Sequence, residues 1–271
     1  MIYDLQKASI FKRISAFLLD IILIFILATG FAFAISAIVG YDAKLERIEQ
    51  IDAECVKEFQ LNKYLPKPEN AGENFKYSLN ITEETYKKLS DEGREAYNQA
   101  RKAYMEKSGK DLMQDYGELT GLLYVMLSLG LFFATLIIEF IIPLILKNGQ
   151  TLGKKVFGVG VILITGVKIS PVALFVRAML GKYAIETMVP VSLAFIFFLL
   201  APSGTILLVL IAIAILQIVL IIATKNNSLI HDVISSTVTV DMSTQMIFAT
   251  YDDLLTYKQD VAKREADKKP Y

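Results

Sequence analysis

Two carboxylates stand alone inside long apolar runs. Asp20 is the one charge between Ile14 and Val39, and Glu139 the one charge between Leu119 and Leu146. An ionisable group in hydrocarbon costs at least a few kcal/mol unless it is paired, protonated or wetted. Arg13 precedes Asp20 by two helical turns, so both side chains share a face, with Asp20 about 10 Å deeper. Glu139 lies about 12 Å inside the end of its run, which Lys147 marks. If the second run returns to the side the first one left, the two acids reach a similar depth. Two nearby carboxylates in low dielectric do not both ionise readily. Either one holds a proton, or a cation such as sodium sits between them, or Arg13 and other donors pair each acid separately.

The other chemistry-bearing residues lie at the ends of apolar runs. His231-Asp232 follows the last of these runs. Asp232 is placed to cap a helix or to pair with Arg13, and His231 reads as an interfacial hydrogen-bonding residue. Glu186 is four residues after Lys182, the spacing of an ordinary interfacial ion pair. Gly149, Gly153, Gly158 and Gly160 are glycine-rich, but they lack the spacing of a Walker phosphate loop. The single Cys55 excludes an intramolecular disulfide and a cysteine metal motif, and a lone histidine excludes multi-histidine metal sites. No nucleophile–base pair and no cofactor motif is present, so neither an enzyme nor a cofactor is expected. Lys and Arg number 28 and Asp and Glu 28, a balance that gives no reason to expect a nucleic-acid partner.

The elements that must position these residues are membrane spans. Ile14 to Val39 is about 39 Å of helix against a hydrocarbon core of about 30 Å. Leu119 to Leu146 is a second span, which Pro143 can kink. Ala184 to Ala201 and Thr205 to Thr224, joined by Pro202-Ser203-Gly204, read as two more, with a re-entrant hairpin as the alternative. Residues 147–184 carry six Lys or Arg and no acid, and the N-terminal tail is also net positive. By the positive-inside rule both segments, and hence both termini, are cytoplasmic. Val156 to Ile162 and Thr237 to Val240 alternate with period two, and predict a small paired β element on the cytoplasmic face. Val172 to Lys182 reads as an amphipathic lead-in along the membrane surface.

Residues 41–118 are different material, with 13 Lys or Arg and 17 Asp or Glu. Helical spacing runs over Asp42–Phe59, and Leu61–Asn80 reads as loop. A helix starts at Thr82-Glu83-Glu84, and a long polar helix over Ser90–Tyr116 is broken or bent near Gly109. Tyr86, Leu89, Tyr97, Tyr104 and Leu112 give it a weak apolar face. The expectation is an extracytoplasmic helical hairpin. The chain thus divides into 1–40 (tail and first span), 41–118 (insert), 119–241 (membrane domain) and 242–271, a mixed-charge tail with Lys263, Arg264, Lys268 and Lys269. The fold class is all-α membrane protein with four transmembrane helices, a polar helical insert and a small β element.

Arg13 and Asp20, the stretch Gly149-Gln150-Thr151-Leu152-Gly153-Lys154-Lys155, then Arg177, and finally Leu229-Ile230-His231-Asp232 before Thr237-Val238 resemble one family in order and membrane context. It is the RDD family of integral membrane proteins, named for an arginine and two aspartates, which correspond here to Arg13, Asp20 and Asp232. The resemblance covers residues 8–40 and about 119–241. It implies a multi-pass cell-membrane protein, with either proton- or sodium-linked transport or partnership in a membrane complex. Four spans are few for a monomeric transporter, so transport would call for a homo-oligomer. The competing expectation is a non-catalytic scaffold whose polar residues lock the helices together in the lipid bilayer.

Overall fold

The computed structural model describes residues 4–68, 72, 75–200 and 202–267. Its contacts form two compact units, one of Met1–Ala32 with Leu127–Tyr271 and the other of Phe33–Met126. Among the described residues, four helices are long and apolar enough to cross a membrane, and a two-stranded sheet accompanies them. The protein is an all-α multi-pass membrane protein, as its sequence predicts.

Helix α1, Ile10–Val39, has large side chains such as Phe11, Phe25 and Ile38 more than two-thirds exposed. An apolar face left open in this way is what lipid requires, since hydrocarbon solvates it as well as protein does. Gly40, with φ +67°, breaks the run in the left-handed conformation that favours glycine.

Residues 41–118 fold around a core of their own. Helix α2 is Tyr41–Glu58, followed by a 3₁₀ turn at Leu61–Lys63. Helix α3, Glu83–Lys88, is capped by Thr82, whose hydroxyl accepts from the Thr85 N–H at 3.2 Å. Ser90 caps α4, Asp91–Ser108, in the same way through Gly93. Ile48, Cys55, Leu61, Leu79, Tyr97, Tyr104 and Leu112 are buried together, so the tyrosine-rich face read as weak is half of a packed core. Buried polar groups are satisfied within it: Asp52 accepts from the Leu79 N–H at 2.8 Å, and the Tyr97 hydroxyl donates to the Leu79 carbonyl at 2.8 Å. The helical stretch expected over Ser90–Tyr116, broken or bent near Gly109, is broken there. Gly109, at φ +79°, closes α4, and Leu112 opens the next helix. The loop over Leu61–Asn80 is present where described; residues 69–71 and 73–74 lie outside the described residues.

Helix α5, Leu112–Leu146, therefore starts seven residues before the predicted second span. Helix α6, Leu152–Val156, is one turn capped by Thr151, whose hydroxyl accepts from the Lys154 N–H at 3.2 Å. Strand β1, Val159–Leu163, follows. Helix α7, Pro171–Leu199, is one continuous helix capped by Ser170, and α8 is Gly204–Ala223. The separate surface lead-in expected over Val172–Lys182 is thus the first part of α7. Helix α9, Ile230–Ile234, precedes β2, Thr237–Asp241, and α10 is Tyr251–Asp267. Lys268 and Lys269 of the tail lie outside the described residues.

Strands β1 and β2 pair antiparallel, with Val159 opposite Asp241 and Leu163 opposite Thr237. The predicted pairing holds, but the strand begins at Val159 rather than Val156, because the Thr151 cap draws 152–156 into a helical turn. The N-terminal tail covers the free edge of β2: the Ala8 N–H donates to the Thr239 carbonyl at 3.2 Å, and the Asp241 N–H to the Gln6 carbonyl at 2.9 Å. An edge that is covered is not left open to pair with another chain.

A buried charge network and its family

The winding of α5 and α7 places the charged residues. Leu136–Ile141 in α5 and Val176–Met188 in α7 are π-helical. A π-helix bonds residue i to i+5, so a residue shares a face with those four or five positions on. Arg177, Lys182 and Glu186 follow that spacing and line one face, which an α-helix would not give them. Each π stretch also ends against a proline four residues past an acid, Glu139 with Pro143 and Glu186 with Pro190. Proline has no N–H to offer the carbonyl at i−4, and its ring clashes with that carbonyl in an α-helix. Widening the turn before it relieves both problems.

Asp20 sits at the N-terminus of α6. Its Oδ1 accepts from the Gly153 N–H at 2.8 Å, and its Oδ2 accepts from the Thr151 hydroxyl. A helix N-terminus supplies unpaired N–H groups to an anion. A Cβ at residue 153 would lie 2.3 Å from the Ala16 carbonyl oxygen, so glycine is what lets α6 reach Asp20. The Lys154 ammonium then stands between the two acids, 3.8 Å from Asp20 Oδ2 and donating to Glu139 Oε2 at 3.3 Å. Lys182 donates to the other oxygen of Glu139. Asp20, Glu139 and Lys154 are all at least nine-tenths buried. Burial pushes the Lys154 ammonium down and the two carboxylates push it back only in part, leaving it at about 8.

The second group is built on Asp232. Arg177 donates to its Oδ1, and Arg13 to its Oδ2 at 3.2 Å. The Leu229 N–H reaches Oδ2 at 3.3 Å, so Asp232 also caps α9. Arg177 donates further to the Thr237 hydroxyl of β2 at 2.6 Å, and Arg13 to the Asn227 carbonyl at 2.6 Å. Burial works against the Asp232 anion, but the Arg177 guanidinium, the neighbouring His231 and Arg13 outweigh it and hold the carboxyl well below the usual range. His231 Nδ1 lies 2.6 Å from Glu186 Oε2, and its backbone N–H donates to Glu186 Oε1 at 3.0 Å. Burial, and after it the Arg177 charge, push the imidazole below its ordinary value. It is therefore neutral near pH 7 and donates to Glu186 from Nδ1. A Cβ at Gly181 would lie 2.6 Å from the His231 Cα, so α7 and α9 touch backbone to side chain there.

Between α1, α5, α7 and α8 lies a cavity of about 630 Å³. Asp20, Glu139, Lys154, Lys182 and His231 line it together with apolar residues such as Phe17, Ile21, Phe25 and Pro190.

The structure decides between the sequence alternatives and overturns one expectation. The space where a shared proton or a sodium ion was one alternative holds the Lys154 ammonium. Of the two partners expected for Arg13, it takes Asp232 and not Asp20, and Asp232 both pairs with it and caps a helix. Lys182 and Glu186 do not pair with each other: Lys182 donates to Glu139 of α5, and Glu186 is taken by His231 of α9. Of the remaining motif positions, Gly149 takes φ +66° with its Cα against the Val161 carbonyl, where a Cβ would lie 2.4 Å from the oxygen. Cys55 is fully buried and is no surface probe. Sequence reasoning missed the part Thr237 plays at the ionic cluster. It also missed Gln217, the one amide in the apolar run of α8 and a visible anomaly there.

Searches among curated proteins and among solved structures return no match. The sequence model of the RDD family matches residues 7–236, which take in Arg13, Asp20, Lys154, Arg177 and Asp232. The chain belongs to the RDD family.

Proposed function

We propose that this protein carries out proton-coupled transport across the cell membrane, with the Asp20–Lys154–Glu139 group as the proton-exchange site. The observation that carries this reading is that all three groups border the same cavity with the Lys154 ammonium between the two acids, where burial pushes it down to about 8. A lysine held between two acids passes a proton to either one without leaving a net charge stranded, whereas an empty acid pair would need a cation from outside. The occupied position between the acids favours the proton over sodium as the coupled ion. Both termini and the lysine-rich loop before α7 face the cytoplasm, and residues 41–118 face outward. With four spans, the working unit is a homo-oligomer or a complex with another membrane protein. No enzyme chemistry is assigned.

A second reading, a non-catalytic scaffold, is favoured by a different observation: each of Asp20, Glu139, Arg177 and Asp232 has a partner of opposite charge. Proton flux into proteoliposomes separates the two. Transport predicts flux in wild type that falls at least about tenfold in Asp20→Asn and in Glu139→Gln, the loss of one charged contact at about 1.4 kcal/mol or more. Equal flux in wild type, both variants and empty liposomes leaves the scaffold. Orientation is tested by a cysteine at exposed Lys87 in a Cys55→Ala background. An impermeant maleimide labels it in intact cells, and labelling only after permeabilisation reverses the topology.

A further inference from the structure

Residues 41–118 carry more acid than base, 17 Asp or Glu against 13 Lys or Arg. Seven of those 13 cations form ion pairs with acids, as Lys44 does with Glu118 and Arg101 with Asp111. The other six have no ion pair among the described residues, and three of them, Lys57, Lys63 and Lys76, line one cleft of about 480 Å³. Despite the excess of acid around it, no acid among the described residues is on the wall of this cleft. A cleft lined by charge of one sign gathers counter-ions of the other. Its remaining polar groups also offer donors. Lys63 donates to Gln60 Oε1, which occupies the acceptor of that amide and leaves its NH₂ without a partner among the described residues. Asn62 and the Tyr77 hydroxyl line the cleft without a side-chain hydrogen bond among the described residues. Gln60 stands at φ +51° just past the end of α2, the left-handed position where α4 uses Gly109. Glycine takes that conformation without strain, so this amide is kept at the cleft against backbone preference.

We propose that this cleft binds a small multivalent oxyanion, a diphosphate group. All three cations are lysines. An ammonium is a point charge that serves oxygens arriving from any direction, whereas the planar fork that matches a carboxylate belongs to arginine, which is absent from the wall. The volume lies within the range of small-ligand sites, roughly 300–1,000 Å³, and leaves room for two phosphoryl groups. Two such groups carry enough charge to answer three ammonium groups, which a single phosphate does not. The amides of Gln60 and Asn62 and the Tyr77 hydroxyl donate to the oxygens that the lysines leave. The inference goes beyond the transport reading, uses none of its residues, and holds whether or not protons move.

The full-length protein in non-ionic detergent is titrated with inorganic pyrophosphate in a calorimeter, free of divalent cations and at about 50 mM salt to limit screening. One site with Kd below about 1 mM is expected. Orthophosphate, with less charge, and citrate, with planar carboxylates, should each bind at least about tenfold more weakly. Lys57→Gln, Lys63→Gln and Lys76→Gln should each raise Kd about threefold, and the triple variant should abolish binding. All three side chains are exposed, so the unfolding temperature should not change. The control Arg47→Gln/Lys67→Gln/Lys102→Gln removes the same charge from the unpaired cations off the cleft, and should change Kd by less than about twofold. No saturable binding, orthophosphate or citrate as tight as pyrophosphate, binding that survives the cleft triple, or an equal loss in the control overturns the proposal.

Discussion

The two buried ionic groups use different cations. Around Asp20 and Glu139 the partners are lysines, Lys154 and Lys182; around Asp232 they are arginines, Arg13 and Arg177. A guanidinium keeps its charge at any accessible pH and meets a carboxylate through a rigid fork, while a buried ammonium gives up its proton readily. The arginine group also touches α1, α7, α9 and β2, and so ties the N-terminal helix to the sheet. The lysine group fastens only the start of α6 to α1, α5 and α7. On the function proposed above, the arginine cluster stays as it is and the lysine cluster changes protonation.

The sharpest test of that contrast is to exchange the cations. Arg177→Met leaves Asp232 without its closest partner and should lower stability by about 3–5 kcal/mol, the cost of breaking a buried pair from one side. Arg177→Lys should recover only part of this, since the shorter lysine side chain does not carry its charge to the position of Arg177 Nη1, which bonds both Asp232 and Thr237. Lys154→Met should be milder, because Asp20 keeps Thr151 and the Gly153 N–H, and Glu139 keeps Lys182. Thermal unfolding in detergent measures all three. A Lys154→Met loss as large as that of Arg177→Met would remove the distinction between clamp and exchange site.

A smaller effect belongs to His231, at the border of the two groups. Its pKa in the folded protein lies below the ordinary 6.5. Between those two values the unfolded chain binds more protons than the native one, so stability falls as pH drops below about 6.5, by at most about 1.4 kcal/mol per pH unit. His231→Gln should flatten this slope between pH 6.5 and 5 in the same unfolding assay. A slope unchanged by the substitution would mean that the imidazole is already charged against Glu186 in the native state.

What the sequence made legible was periodicity and isolation. Four apolar runs, two lone carboxylates and two alternating segments located the spans, the acids and the paired strands. Its reading stopped at partners distant in sequence. Glu186 four residues after Lys182 has the spacing of an ion pair, but Glu139 of α5 and His231 of α9 take the two side chains instead. Lys154 was visible as part of a basic loop, but nothing local shows that a capped turn brings it between Asp20 and Glu139, because that contact spans more than 130 residues. The insert was underestimated for another reason. Its apolar positions are tyrosines and isolated leucines scattered among charges, and only the packing of α2 against α4 assembles them into a core.

The central claim is that Lys154 exchanges a proton while the arginine cluster stays fixed, and the lysine side chains themselves report it. In NMR of detergent-solubilised protein with ¹³C-labelled lysine, one Cε resonance should titrate near pH 8, well below the usual lysine range of about 10.4. It should vanish in Lys154→Arg and move to still lower pH in Asp20→Asn, because Asp20 is one of the charges that holds the proton on. If every lysine titrates at the ordinary value, or the low titration survives Lys154→Arg, Lys154 is a structural cation and the proton-exchange account is wrong.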